Sequence, residues 1–202
     1  MIILDMKGKV VNINRIEVPE QNLVKQYIKS DDVVLELGAR YGSVSCCINQ
    51  KLNVKTNQVS VEPDDRVWEA LENNKKTNNC DFHIVKGFIS NDKLSLTNLN
   101  DYIDGYAATF VKNMNSKIPS YTLDECKQKY DLKFNVLVAD CEGYLGEFLN
   151  QNPHFLDELR IIIFEADYPD KCNYDIIRQT LTNKNFECLL KGHQNVYLKK
   201  NL

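Results

Sequence analysis

The chain has 202 residues, of which 43% are hydrophobic and 26% charged, and a formal net charge of −3 at pH 7. These values describe a globular chain. They exclude intrinsic disorder, and they argue against a broad polyanion-binding surface. The length suits one domain spanning residues 1–202, in which folding removes roughly 70% of the unfolded surface from water.

The seven cysteines form no CxxC pair, and Cys46 and Cys47 are adjacent. They read as reduced thiols. The opening Met1–Lys7 run is too short for a signal peptide, and no stretch approaches ~20 apolar residues. A cytoplasmic protein without a membrane span is the expectation. His83, His154 and His193 are scattered, which weighs against a His-based metal site or a Ser-His-Asp triad.

In chain order, residues 1–30 read as an N-terminal extension and residues 31–202 as a core. Pro19–Lys29 predicts a helix, with Leu23, Val24, Tyr27 and Ile28 on one face. Asp31-Asp32 breaks it. Val33–Leu37 predicts a buried strand, and Ser43 is placed as the cap of a helix carrying Val44, Cys47 and Ile48 inward. Gln58–Glu62 predicts the next strand. Pro63-Asp64-Asp65 is expected to start a helix with Val67, Ala70, Leu71 and Asn74 at helical spacing. Phe82–Val85 predicts a third strand. Residues 87–119 read as a variable insertion with short strands near Lys93–Leu96 and Thr109–Val111. Thr122–Tyr130 predicts a helix, Phe134–Ala139 a strand, and Leu145, Phe148 and Leu149 a helix ending before Pro153. Arg160–Phe164 is the most hydrophobic strand. A last helix, marked by Tyr174, Ile177 and Leu181, precedes an antiparallel pair, Phe186–Leu190 with Val196–Leu198.

Strands alternating with helices predict an α/β fold with a mainly parallel sheet covered on both faces. Ligands of such sheets bind outside the carboxyl ends of the strands. Glu36, Glu62, Asp140, Glu142 and Glu165 all fall at or just after strand ends, which predicts one acidic cleft. Local roles compete with this reading: Asp140 could cap the following helix, and Glu165 could pair with a nearby Arg or Lys.

The first crossover, Glu36-Leu37-Gly38-Ala39-Arg40-Tyr41-Gly42, has the spacing Glu-x-Gly-x-x-x-Gly. A dinucleotide fingerprint needs a glycine where Arg40 stands, so NAD and FAD are disfavoured. Glu62 ends the next strand, where a carboxylate can accept hydrogen bonds from both hydroxyls of a ribose.

Together with Val61-Glu62-Pro63, that crossover resembles the cofactor half of class I S-adenosylmethionine-dependent methyltransferases. Thr122-Leu123-Asp124, then Asp140-Cys141-Glu142-Gly143, then the Glu165-ended strand are similar to the FkbM-type members of that class. The resemblance runs from about Val33 to Asp167. It implies a Rossmann-like domain with a seven-stranded sheet and a C-terminal antiparallel strand pair. It also implies S-adenosyl-L-methionine as cofactor and methyl transfer onto oxygen, on a sugar, glycan or similar small metabolite. By position, Glu36, Gly38, Ala39 and Gly42 would hold the methionine part, Glu62 and Pro63 the ribose, and Gly87 and Phe88 the adenine edge. Asp140 and Glu142 would face the methyl end. Asp140 is the first candidate for the base, followed by Glu142 and Glu165.

Members of the family often carry Asn where this chain has Arg40. A guanidinium beside a sulfonium is tolerable if it points away or pairs with a carboxylate. Asp140, Glu142 and Glu165 are hard oxygen ligands able to hold Mg²⁺ or Ca²⁺, but the resemblance demands no metal, and none is expected. The expected partner is a small-molecule or glycan acceptor, without nucleic acid or membrane; a homodimer could complete the pocket. The alternative from another class is a non-catalytic binding module on the same scaffold.

Overall fold

The computed structural model describes residues 1–99 and 108–200. Part of the 87–119 insertion, residues 100–107, therefore lies outside the described residues. In chain order the elements are α1 (Val18–Tyr27), β1 (Val34–Leu37), α2 (Ser43–Lys51), β2 (Gln58–Glu62), α3 (Trp68–Thr77), β3 (His83–Lys86), β4 (Phe88–Ile89), β5 (Leu94–Thr97), β6 (Thr109–Lys112), β7 (Ser120–Tyr121), α4 (Leu123–Tyr130), β8 (Val136–Ala139), α5 (Leu145–Gln151), α6 (Phe155–Glu158), β9 (Ile161–Glu165), α7 (Tyr174–Asn183), β10 (Phe186–Leu190) and β11 (Gln194–Lys199).

The main sheet has seven strands in the order β10-β11-β9-β8-β1-β2-β3. From β9 to β3 all neighbours are parallel, and β11 joins antiparallel to both β9 and β10. The α/β fold expected from the sequence, with its closing antiparallel pair, is the fold observed. Among the described residues, no helix is long and apolar enough to cross a membrane.

Strand alternation divides the core between the two sheet faces. Val34, Val136, Val138, Ile161 and Ile163 pack with Val24 of α1, with Ile28 just after that helix, and with Val44, Cys47 and Ile48 of α2. Leu35, Leu37, Leu137, Ala139, Ile162 and Phe164 pack on the other face with Cys126, Phe148, Phe155, Ile177 and Leu181 of α4 to α7. Under α2 the first face is polar: Gln58 and Ser60 are fully buried. Gln58 Nε2 donates to the Ser45 carbonyl (3.0 Å) and to Ser60 Oγ (3.0 Å), and Ser60 Oγ donates to Glu36 Oε2 (2.5 Å).

Two helix starts differ from expectation. α2 is capped by Gly42 in a left-handed conformation (φ 86°), not by Ser43. A Cβ at Gly42 would lie 2.8 Å from Leu71 Cδ1, and the Ser43 hydroxyl is spent on Glu17, to which it donates. α3 begins at Trp68, later than Pro63-Asp64-Asp65 suggested. The Asp64 carboxylate draws the Arg66 N–H into a turn (3.1 Å) and pairs with guanidinium groups, so the preceding residues do not wind.

The end of the sheet away from the strand carboxyl termini is fastened by Asp32, which is 1% exposed. It accepts from Arg160 Nε (2.6 Å) and Nη2, from Asn135 Nδ2 (3.3 Å) and from the Lys29 N–H (2.7 Å). This ties together the chain entering β1, β8 and β9. Removing one partner of such a pair leaves a guanidinium uncompensated. Asp32→Ala is expected to lower unfolding free energy by about 3–5 kcal/mol in urea titration; a loss under about 1 kcal/mol would contradict this role.

Candidate functional site: an acidic cleft at the strand carboxyl ends

The period-two geometry of the strands brings the acids together. Glu36, Asp140 and Glu165 follow Val34, Val138 and Ile163 by two residues each, so they continue the face that meets α1 and α2. Gln194, opposite Glu165 in the β9–β11 register, falls beside them.

Two adjoining cavities result. The larger encloses about 760 Å³ including its open mouth, and is lined by Glu17, Gly38, Arg40, Glu62, Pro63, Asp64, Phe88, Asp140, Cys141, Glu142 and Tyr144, among others. The smaller, with free room for about one water molecule, is lined by Glu17, Glu20, Glu36, Asp140, Glu165 and Gln194 with aliphatic neighbours. Of the residues expected from the sequence, Gly38, Glu62, Pro63, Phe88, Asp140 and Glu142 line the larger cleft, whereas Glu36 and Glu165 line the smaller cavity. Ala39, Gly42 and Gly87 line neither. Ala39 is packed in a cluster with Tyr41 and Leu71. Gly87 (φ 145°) lets the chain pass Pro119, whose carbonyl oxygen a Cβ would meet at 2.3 Å. Gly38 (φ 90°) serves close approach as well, since a Cβ there would lie 1.7 Å from the Asp140 carbonyl oxygen.

Glu62 is held firmly. Its Oε2 accepts from the Arg40 N–H (2.6 Å) and its Oε1 from the Asp64 N–H (2.8 Å). Its own carbonyl accepts from Trp68 Nε1 (2.8 Å) and the Gly87 N–H (3.0 Å). Arg40 contacts Asp64 (3.3 Å), which also binds Arg66 (2.6 Å). Burial raises the Asp64 carboxyl, but hydrogen bonds and charge from the two arginines outweigh it and hold the group below the usual range. The guanidinium of Arg40 is thus paired with a carboxylate, one of the two arrangements in which it is tolerable beside a sulfonium.

Opposite stands an apolar wall. Tyr144 packs edge-on against Phe88 (5.8 Å between centroids) and Phe110 (4.9 Å), and its hydroxyl donates to the Ile89 carbonyl (2.8 Å). The two-residue strands β4 and β7, which hold Phe88 in place, are too short to show in the sequence pattern.

Neither local role proposed for the strand-end acids holds. Asp140 does not cap α5, whose N-cap is Tyr144. Glu165 pairs not with Arg or Lys but with His193 Nε2 (2.5 Å), and it accepts from Gln194 Nε2 (3.0 Å). Sequence reasoning missed Glu17 and Glu20, placed in a mere extension, and also Asp167. Glu20 lies on the stripe Glu20–Val24–Ile28 that faces the core. A glutamate on the inner stripe of an amphipathic helix was the available signal. Asp167 accepts from the Gly143 N–H (3.1 Å) and the Tyr174 hydroxyl (3.0 Å), and its carboxylate lies within 4.8 Å of those of Asp140 and Glu142.

Acids this crowded hold their protons. Burial, then the charges of Glu165, Glu17 and Glu142, pushes Asp140 well above the usual carboxylate range. Burial and a hydrogen bond with Asp167 push Glu142 up to about 9. Burial, then Glu20 and Glu36, takes Glu17 to about 8. Burial takes Glu20, Glu36 and Glu62 each to about 7. Burial also pushes the Cys141 thiol up, so it is no thiolate nucleophile.

Three solved structures superpose on this framework. A ribosomal protein L11 methylase from Lactobacillus delbrueckii subsp. bulgaricus is 14% identical, with 91% of this chain and 79% of that one covered at a TM-score of 0.53. A precorrin-6y C5,15-methyltransferase from Geobacter metallireducens GS-15 is 11% identical, covering 94% and 90% at 0.54. An rRNA methylase from Streptococcus thermophilus is 6% identical, covering 91% and 95% at 0.54. The chain has the Rossmann-like fold of the class I methyltransferases. At these identities the likeness is one of fold. No protein-family model matches the chain, and no curated protein matches its sequence.

The raised carboxyls have a consequence for stability. Each binds its proton more tightly in the folded chain than at its ordinary value of 4.5 or below. Between about pH 4.5 and 9 the folded form therefore holds more protons than the unfolded form, and stability falls as pH rises through that window. Urea titration at pH 5, 7 and 9 should give a steadily decreasing unfolding free energy; an increase from pH 5 to pH 9 would contradict the burial of these acids.

Proposed function

We propose that the protein is an S-adenosyl-L-methionine-dependent methyltransferase. In this reading it transfers the methyl group to a hydroxyl of a sugar, glycan or similar small metabolite, in the manner of the FkbM-type enzymes that its motifs resemble. The observation that carries the reading is Glu62. A carboxylate clamped by two backbone N–H groups at the end of β2 keeps acceptor capacity directed at a ligand's paired hydroxyls. The cleft around it fits the cofactor. The apolar surface of Phe88 and Ile89 suits a planar base, and the buried acids with raised affinity for protons suit a positive charge.

When bound, the cofactor supplies an electrophilic methyl group on a cationic sulfur. The chain's own residues do the rest. Glu62 fixes the ribose, while Phe88 and Tyr144 exclude water from the wall. Asp140 lines both cavities, and Glu142 lines the larger one. Orientation of this kind supplies much of the rate of such a transfer, up to ~7–11 kcal/mol. An attacking hydroxyl must also lose its proton. Asp140 is the preferred acceptor, because a carboxyl with raised proton affinity is a stronger base once ionised. Glu165 is the weaker candidate, since it sits in the inner cavity bound to His193 and Gln194.

The structural neighbours are a ribosomal protein L11 methylase, a precorrin-6y methyltransferase and an rRNA methylase. The cleft offers Arg40 and no other Lys or Arg among its described lining residues, and that guanidinium is paired with Asp64, which supports a small uncharged or cationic acceptor here. The pairing of Arg40 with Asp64 keeps its guanidinium on a carboxylate, which supports the catalytic reading over a non-catalytic module. The proposal extends to a cytoplasmic protein of one domain, which needs no metal.

Calorimetry with S-adenosylhomocysteine tests the reading. Wild type should bind it, and Glu62→Ala should weaken binding by about tenfold to a hundredfold, the loss of hydrogen bonds to a charged acceptor. Absence of binding by wild type, or unchanged affinity in a folded Glu62→Ala variant, would overturn the cofactor assignment.

A further inference from the structure

The clamp on Glu62 is braced from outside the cleft. Arg40, whose N–H holds Glu62 Oε2, stands at φ 48°, a left-handed conformation that is unfavourable for a residue with a side chain. Such a conformation persists only where the surroundings fix it. Asn74 of α3 supplies part of that fixing. It is fully buried, and its Nδ2 donates to the Tyr41 carbonyl (2.9 Å) and the Leu4 carbonyl (2.8 Å). Its Oδ1 accepts from the Leu4 N–H (2.9 Å). Four residues on, Asn78 holds Ile2 in the same way: Oδ1 accepts from its N–H (2.9 Å), and Nδ2 donates to its carbonyl (2.7 Å). Residues four apart share one face of a helix, so the two asparagines grip alternate residues of the segment Ile2–Leu4. Ile3, between them, is fully buried in one cluster with Ala39, Tyr41, Leu71 and Phe82.

We propose that Asn74 is a positioning residue for the ribose-binding carboxylate, and that the segment Ile2–Leu4 is the strap that locks it in place. A continuous chain of hydrogen bonds and one peptide unit runs from Leu4 through Asn74, the Tyr41 carbonyl and the Arg40 N–H to Glu62 Oε2. Asn74 lines neither cavity, so it acts only through the turn after β1. The same helix reaches Glu62 a second time, since Trp68 at its start donates to the Glu62 carbonyl (2.8 Å). α3 therefore sets the strand end and the turn in one register, and the strap fixes the helix against the turn.

Without the two asparagine clamps, Arg40 can relax out of its left-handed conformation and its N–H leaves Glu62. The carboxylate then keeps only the Asp64 N–H (2.8 Å) and regains rotamer freedom. Ordering that side chain becomes a cost of ligand binding. An element that merely supported the fold would weaken every ligand alike, whereas this one acts on the two ribose hydroxyls. The ribose step rests on the methyl-transfer reading; the hold on Arg40 and Glu62 does not.

Calorimetry and amide hydrogen exchange on the full chain test the proposal, with the variants Asn74→Ala and, at a half-buried position, Asn78→Ala. The ligands are S-adenosylhomocysteine and its analogue lacking both ribose hydroxyls. Wild type should prefer the former by about tenfold to a hundredfold. Asn74→Ala should shrink that preference at least about threefold, with the loss falling on S-adenosylhomocysteine. In the ligand-free chain the Arg40 amide should exchange at least about tenfold faster in Asn74→Ala, while the amides of β8 keep their wild-type rates. Asn78→Ala should change both readouts in the same direction by less. Equal weakening of both ligands, an unchanged preference, or unchanged Arg40 exchange in the folded variants would overturn the proposal. Should Asn74→Ala fail to fold, Asn78→Ala decides by the same two readouts. If wild type binds no S-adenosylhomocysteine, the methyl-transfer reading falls, and Arg40 exchange alone decides whether the strap holds the Glu62 clamp.

Discussion

The organising constraint of this protein is the convergence of carboxylates at the carboxyl ends of β1, β2, β8 and β9. Strand alternation forces it. Once Val34, Val138 and Ile163 are buried against α1 and α2, the residues two positions on must follow them to the same face. Those residues are Glu36, Asp140 and Glu165, joined by Glu17 at the N-cap of α1 and by Glu20 within that helix. Such crowding is unfavourable when the groups are charged. The fold tolerates it by holding protons on Glu17, Asp140 and Glu142, by bonding Glu165 to His193 and Gln194, by pairing Asp64 with Arg40 and Arg66, and by spending backbone amides on Glu62. The opposite end of the sheet is fastened separately, through Asp32 and Arg160.

This arrangement has the character of a preorganised site. Folding places the acids before any ligand arrives, so a cation entering the cleft meets fixed acceptors and need not reorganise them. The cost falls on the stability of the empty protein. The same carboxyls that would favour a positive charge oppose folding when they ionise alone. Glycines serve the geometry more than the ligand: Gly38 lets the turn after β1 touch the Asp140 backbone, and Gly87 lets β4 pass Pro119.

Much of the fold was legible in the sequence because its signals are strong. Runs such as Phe134–Ala139 and Arg160–Phe164 are long and apolar, and their alternation with helical stripes marks a parallel sheet. The strand-end acids were legible for the same reason, since a carboxylate after an apolar run stands out. Other features carry no local signal. β4 and β7 are two residues each and exist because Gly87 brings Phe88 against Pro119. The starts of α2 and α3 were misplaced because Ser43 and Asp64 serve tertiary partners, Glu17, Arg40 and Arg66, in place of helix caps. Glu17 and Glu20 were hidden by the assumption that residues before the first strand lie outside the core; Ile3, Val24 and Ile28 are buried in it.

The central claim is that Glu17, Asp140 and Glu142 hold their protons well above the usual carboxylate range and await a positive charge. Proton exchange on ligand binding tests it most directly. Titration with S-adenosylmethionine at pH 7.5, in two buffers of different ionisation enthalpy, yields the number of protons exchanged. The account predicts net proton release, because a bound sulfonium lowers the affinity of Glu17, Asp140 and Glu142 for their protons. Binding with no proton exchange, or with proton uptake, would contradict it.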